Sequence, residues 1–202
     1  GIHFRSIRDE RIREQCEASP YYIGNTFEDE EGSAYELTRK ALQMGYRNFG
    51  LISEAKWDTT CESREEGIYR AMEDYPDARI LAEARSIQSE EDARDTVENF
   101  LDAYPELDCI YLVGSKIRQA PEVISDTIAR EDQEGNVGLV TIDFSDSLSE
   151  DFQSGSLKAA CGLPQLSIDI YYSVIKMLNM LKGYPLEETA TSHSIDGILI
   201  ES

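Results

Sequence analysis

Tyr22-Ile-Gly-Asn-Thr-Phe-Glu-Asp-Glu-Glu-Gly-Ser-Ala34 decides the fold, because it opens a regular alternation of helical and strand-like segments. An apolar opening, the pair Gly24-Asn25 and an acidic run lead into a helical pattern that reaches Met44. Gly45-Tyr46-Arg47 then breaks the helix, and Asn48-Phe-Gly-Leu-Ile-Ser53 reads as a short apolar strand. A polar loop, the segment Ser63-Arg-Glu-Glu-Gly67 and a second helical pattern come next.

Outward from there the same alternation continues. Strand-like runs are expected at His3–Ser6, Tyr21–Asn25, Asn48–Ser53, Arg79–Arg85, Cys109–Gly114, Val137–Asp143 and Lys158–Leu163. Between them Ile68, Ala71, Met72 and Tyr75 recur at helical spacing, as do Ala93, Val97, Phe100, Leu101 and Tyr104. Tyr171, Val174, Ile175, Leu178 and Leu181 make the strongest apolar stripe, closed by Gly183 and Pro185. Strands this short, alternating with helices, imply βαβ units. The expected class is α/β, a doubly wound, mainly parallel sheet with helices on both faces. Cys109-Ile-Tyr-Leu-Val113 is continuously apolar, as a strand buried on both faces must be, whereas Arg79–Arg85 partly alternates and belongs nearer an edge. Acids at Glu28–Glu31 and Ser89–Asp92 stand where helices begin and complement their dipoles.

The 202 residues carry 40 acidic and 19 basic side chains, a formal net charge of -21. A field of that sign repels phosphate backbones, so no direct nucleic-acid contact is expected from this segment. No apolar run approaches the roughly 20 residues needed to span a bilayer. The opening Gly1-Ile-His-Phe-Arg5 lacks the charged-then-apolar pattern of a secretory leader. Cys16, Cys61, Cys109 and Cys161 form no CxxC pair and no Cys/His cluster. They read as structural thiols, which lean toward a reducing compartment. His3 and His193 belong to no metal-spaced set, no GxGxxG or Walker sequence follows a strand, and Ser115 has no nucleophile elbow around it. Neither metal, cofactor nor enzymatic activity is expected.

The order strand, Gly-Asn hinge, helix, strand, arginine-bearing loop, helix resembles the second lobe of type I periplasmic binding proteins, the sugar-binding family of the ribose-binding protein. The effector domains of lac-repressor-like regulators share it. The resemblance covers nearly the whole chain and implies that most of the family's first lobe lies outside it. Residues 1–25 and 164–190 would then be a remnant of the first lobe, and residues 26–163 and 191–202 the second, ligand-binding lobe. Connections near Asn25, near Leu163–Gln165 and around Ala190–His193 would act as hinges for lobe closure. The helix Leu166–Lys182 would keep its apolar face but lack most of its sheet. Such a face needs a cover, so a homodimer through this helix and the strand near His3–Ser6 is expected.

Ligands of open α/β sheets bind outside the carboxyl ends of the strands. Ser63-Arg64-Glu65-Glu66-Gly67-Ile68 matches the family's sugar-binding arginine, three residues before a glycine. A guanidinium offers five fixed donors to vicinal hydroxyls or a carboxylate; the alternative is a surface arginine paired with Glu65 or Glu66. As a ligand residue it should be removable with little change in stability. Trp57, the single tryptophan, suits stacking on a pyranose or covering the helix behind it. Asp143 resembles the aspartate of the family's Gly-Phe-Asp-Gly strand end, a hydroxyl acceptor, which is favoured over the alternative of an N-cap for a helix near Ser145–Phe152. Asn25, Gln165 and Ser115 complete the candidate set. Two departures stand out: Gly114-Ser115-Lys116 replaces the family's Asn-Asp, and Leu163 occupies its glutamine position.

The resemblance implies binding of a small polar, sugar-like ligand by a solute-binding protein serving an ABC importer. Its partners would be a carbohydrate and a membrane permease, in the periplasm or anchored outside the cell. The alternative is a cytoplasmic effector-sensing domain of a lac-repressor-like regulator.

Overall fold

Four short apolar segments, β2 (Asn48–Ser53), β3 (Arg79–Arg85), β4 (Cys109–Leu112) and β5 (Gly138–Thr141), join as one parallel sheet in the order β3-β2-β4-β5. The computed structural model describes residues 9–22, 26–53, 59–132, 135–142, 159–162, 174, 177–179, 181–182, 193–195 and 198–201. Burial follows position in the sheet. All of β4 is buried, as is β2 from Phe49 onward, whereas the edge strand β3 exposes Arg79 and Glu83. β5 ends the parallel ladder yet is buried throughout. β6 (Ala159–Gly162) lies beside it and pairs antiparallel with β8 (Ile198–Glu201).

Alternation along the strands divides the core in two. Phe49, Leu51, Cys109, Tyr111 and Val140 face α2 (Glu30–Gln43) and α3 (Thr59–Met72). Ile52, Ile110, Leu112 and Leu139 face α4 (Glu90–Ala103) and α5 (Ala120–Glu131). Helices therefore cover both faces, and the sheet is doubly wound as the sequence pattern requires. The helix ends have local causes. Gly45 takes φ 107° just beyond α2, a conformation that costs glycine little. The Ser89 hydroxyl accepts from Asp92 N at 3.0 Å and caps α4. At the amino edge of the sheet the Asp108 carboxylate accepts the backbone N–H groups of Arg47 and Asn48, fixing β2 beside β4.

α2 and α3 cross at very short range. A Cβ at Gly67 would lie 2.2 Å from the Glu31 carbonyl oxygen and 2.9 Å from Tyr35 N. Only a residue without a side chain permits this approach, and Arg70 stacked over the Tyr35 ring at 4.5 Å closes its rim.

The chain divides into two compact units, Gly1–Asp29 with Pro164–Gly197, and Glu30–Leu163 with Ile198–Ser202. The smaller contains α1 (Glu10–Glu17) and the parallel pair β1 (Thr26–Glu28) and β7 (His193–Ile195). Asp9 caps α1 by accepting from Ile12 N at 3.0 Å, and no residue of that helix is buried. Helical residues Val174, Met177, Leu178 and Leu181 are all exposed, Leu181 at 84%.

Some expectations need correction. Of the strand expected over Tyr21–Asn25, Tyr21 and Tyr22 belong to a turn instead, because Ser19-Pro20 turns the chain after α1 and Tyr22 N bonds back to Ser19 O. Residues 23–25 lie outside the described residues, and Thr26–Glu28 is a strand. The sequence pattern does not mark α1, β7 or β8; each is short, and the two strands exist only through distant partners. Cys61 and Cys109 are buried and Cys16 is partly exposed, and none of the three is in a disulfide. The His3–Ser6 run, the helix near Ser145–Phe152 and the side chain of Cys161 lie outside the described residues.

Candidate functional site

The chain leaves β2 through α3 toward β3, and leaves β4 through α5 toward β5, on the opposite side. The strand order thus reverses between β2 and β4, and a crevice outside their carboxyl ends is where ligands of such sheets bind. Arg64, in the second turn of α3, reaches that point. Its Nε donates to Glu30 Oε2 at 2.7 Å and its Nη1 to the Val113 carbonyl oxygen at 2.7 Å. Arg64 is 5% exposed. The bond to Val113 satisfies a carbonyl at the end of a fully buried strand, which would be costly to leave unpaired. Glu30 stands in the first turn of α2, where the helix dipole also favours a carboxylate.

A second ion pair lies along the same edge. The Ser53 hydroxyl donates to Glu65 Oε1 at 2.7 Å, and Arg85 grips Glu65 with Nη1 and Nη2 at 2.7 and 3.0 Å. Donating hydrogen bonds to Glu65 holds the Arg85 guanidinium more firmly protonated than usual. Arg64 and Glu65 are neighbours on α3 but are held from opposite sides, by Glu30 and Val113 on one and by Ser53 and Arg85 on the other. Ser86, just past β3, has φ 59°, and its N–H donates to Ser53 O at 2.8 Å. A non-glycine residue in that region marks a locally over-determined backbone.

Ser115 is half-buried two residues beyond Val113, and its hydroxyl accepts from Ile117 N at 3.0 Å, closing a small turn. The structure therefore brings Arg64 and the Ser115 loop to the same end of β4. Asp143, Trp57, Asn25 and Gln165 lie outside the described residues. Glu30, Ser53, Glu65 and Arg85 escape a reading of the sequence alone. Glu30 reads as an acid at a helix start, Ser53 and Arg85 as the last residues of strands, and Glu65 as a mid-helix neighbour of Arg64. None of these signals identifies partners 12 to 34 residues away. Among the described residues no group of three His, Cys, Asp or Glu side chains could hold a metal, and no helix is long and apolar enough to cross a membrane.

No family model and no curated protein matches the sequence. Solved structures do match in fold. A periplasmic solute-binding protein of an ABC transporter from Actinobacillus succinogenes, with bound D-allose, superposes at TM-score 0.74 and 16% identity, over 87% of this chain and 60% of that one. A glucose-galactose binding protein from Geobacillus stearothermophilus gives 0.73 and 15%, over 89% and 62%. A periplasmic sugar-binding protein from Pseudomonas fluorescens gives 0.78 and 12%, over 98% and 59%. The chain has the fold of the periplasmic solute-binding proteins and spans about three fifths of the length of these structures.

Proposed function

We propose that the chain binds a small polar, sugar-like ligand as part of a solute-binding protein serving an ABC importer, in the periplasm or anchored outside the cell. The observation that carries this reading is Arg64, held by Glu30 and Val113 at the point where the strand order reverses. In it Arg64 donates to ligand hydroxyls, Asp143 accepts from them and Trp57 stacks on the ring face. Asn25, Gln165 and Ser115 supply further polar contacts. Binding without turnover is the proposed activity. The helical residues Val174, Met177, Leu178 and Leu181 support a proposed homodimer.

The test is a calorimetric and thermal-shift screen of aldoses and polyols against the full-length protein. A saturable stabilisation growing as RT ln(1 + [L]/Kd), with the ligand recovered unchanged and affinity lost in Asp143→Ala, supports the reading. Turnover of the hit, or the absence of any hit, overturns it.

The absence of a disulfide at Cys16, Cys61 and Cys109 favours a second reading, a cytoplasmic effector-sensing domain of a lac-repressor-like regulator. Cell fractionation separates the two.

A further inference from the structure

We infer that Glu30 sets the charge class of the ligand. This rests on the reading that Arg64 meets the ligand. Alone, a buried guanidinium selects a carboxylate or phosphate, because the fork of donors matches such groups and the charge lacks solvent. Here the charge is already answered. Glu30 Oε2 lies 2.7 Å from Arg64 Nε, with side-chain exposures of 18% and 7%. The next cation along the edge, Arg85, is answered in the same way by Glu65.

Two guanidinium groups thus face three carboxylates, Glu30, Glu65 and the more exposed Glu83 at 3.6 Å from Arg85, so the carboxyl ends of β2, β3 and β4 carry no surplus positive charge for an anion. An anionic ligand approaching Arg64 would meet the Glu30 carboxylate at once, with little water to screen the repulsion. An uncharged hydroxyl accepts from the guanidinium or donates to the carboxylate without that conflict. Glu30 therefore acts as a specificity-determining residue that admits neutral hydroxyl-bearing ligands and rejects their acids.

Glu30→Gln keeps the shape and an acceptor while removing the negative charge beside Arg64. The experiment titrates aldoses and the matching uronic acids, among them D-galactose and D-galacturonate, into the full-length wild type and Glu30→Gln. The readouts are calorimetric affinity and melting temperature. The wild type should prefer the aldose, and Glu30→Gln should shift the uronate-to-aldose affinity ratio by at least about tenfold toward the acid, the scale of one charge-assisted hydrogen bond. Adding Arg64→Gln should abolish the gain.

A wild type that prefers the uronate overturns the inference, and this outcome does not depend on the variant folding. A wild type that binds the aldose while folded Glu30→Gln gains no uronate affinity overturns it alone and leaves the proposed function standing. A wild type that binds neither, beside a uronate gain in Glu30→Gln, overturns the sugar reading and upholds the role of Glu30. No binding in either protein overturns both.

Discussion

Glu30 and Arg64 are 34 residues apart in sequence and 2.7 Å apart in space. Their bond joins the first turn of α2 to α3 at the carboxyl edge of the sheet, and the same arginine closes the end of β4 through Val113. The arginine that the sequence marks for ligand binding is therefore also part of the fold. That corrects the expectation that it could be removed at little cost in stability.

Arg64→Ala should destabilise the protein by about 3 kcal/mol, because it leaves a largely buried carboxylate without its cation. Ligand affinity should fall in addition by about 2 kcal/mol, the scale of charge-assisted hydrogen bonds in a desolvated cleft. Urea unfolding and calorimetry on the same samples separate the two losses. Unchanged stability would mean that the pair with Glu30 is not maintained in solution.

Gly67→Ala tests how that pair is brought together. The new methyl would sit 2.2 Å from Glu31 O, a backbone atom that cannot swing aside, so α2 and α3 must separate. Overpacking of this kind costs about 1–3 kcal/mol, and the shift should weaken ligand binding through Glu30. A stable variant with normal affinity would show that the helices have slack at this crossing.

The layered sheet is legible in the sequence because its causes are local. Cys109–Val113 is apolar throughout since both faces are covered, and the helical spacing from Ile68 to Tyr75 marks one buried face. The site is legible only in part. Arg64 stands out by its spacing to Gly67, but that glycine serves the helix crossing as well. Glu30 looks like any acid at a helix start, and Arg85 like the polar end of an edge strand. Their pairing depends on which strands become neighbours, a property of the whole chain. β1 and β7 are hidden for the same reason, since three residues make a strand only beside their partner.

The Glu65–Arg85 pair should show measurable coupling. Arg85 grips Glu65 with both terminal nitrogens while the Ser53 hydroxyl occupies one carboxylate oxygen. A double-mutant cycle with Glu65→Gln and Arg85→Met should give about 1 kcal/mol of interaction energy, as partial exposure discounts the ion pair. Additive single-variant effects would reduce the pair to a surface contact.

Stability should decline in alkali. Burial raises the Tyr46 phenol above its ordinary 10.0 and the Cys109 thiol well above its ordinary 9.0. The unfolded chain therefore loses these protons at lower pH than the native one. The native advantage is complete below the ordinary values and shrinks as pH rises past 9.0 and then 10.0, by up to about 1.4 kcal/mol per pH unit for each group. Tyr46→Phe should flatten the upper part of this decline in urea melts from about pH 8 to about pH 11. An unchanged slope would show that the phenol ionises equally well in the folded state.

Self-association is the last expected outcome. Val174, Met177, Leu178 and Leu181 recur at i, i+3, i+4 and i+7 and are all exposed, from 37% to 84%. An apolar helical face of this kind favours a partner over water. The net charge of -21 works against two copies meeting, so association should strengthen as salt screens that repulsion. Light scattering at micromolar concentration should show dimers whose fraction grows with ionic strength, and Leu178→Glu with Leu181→Glu should restore the monomer. A wild type that stays monomeric at high salt would show that this face is covered within its own chain.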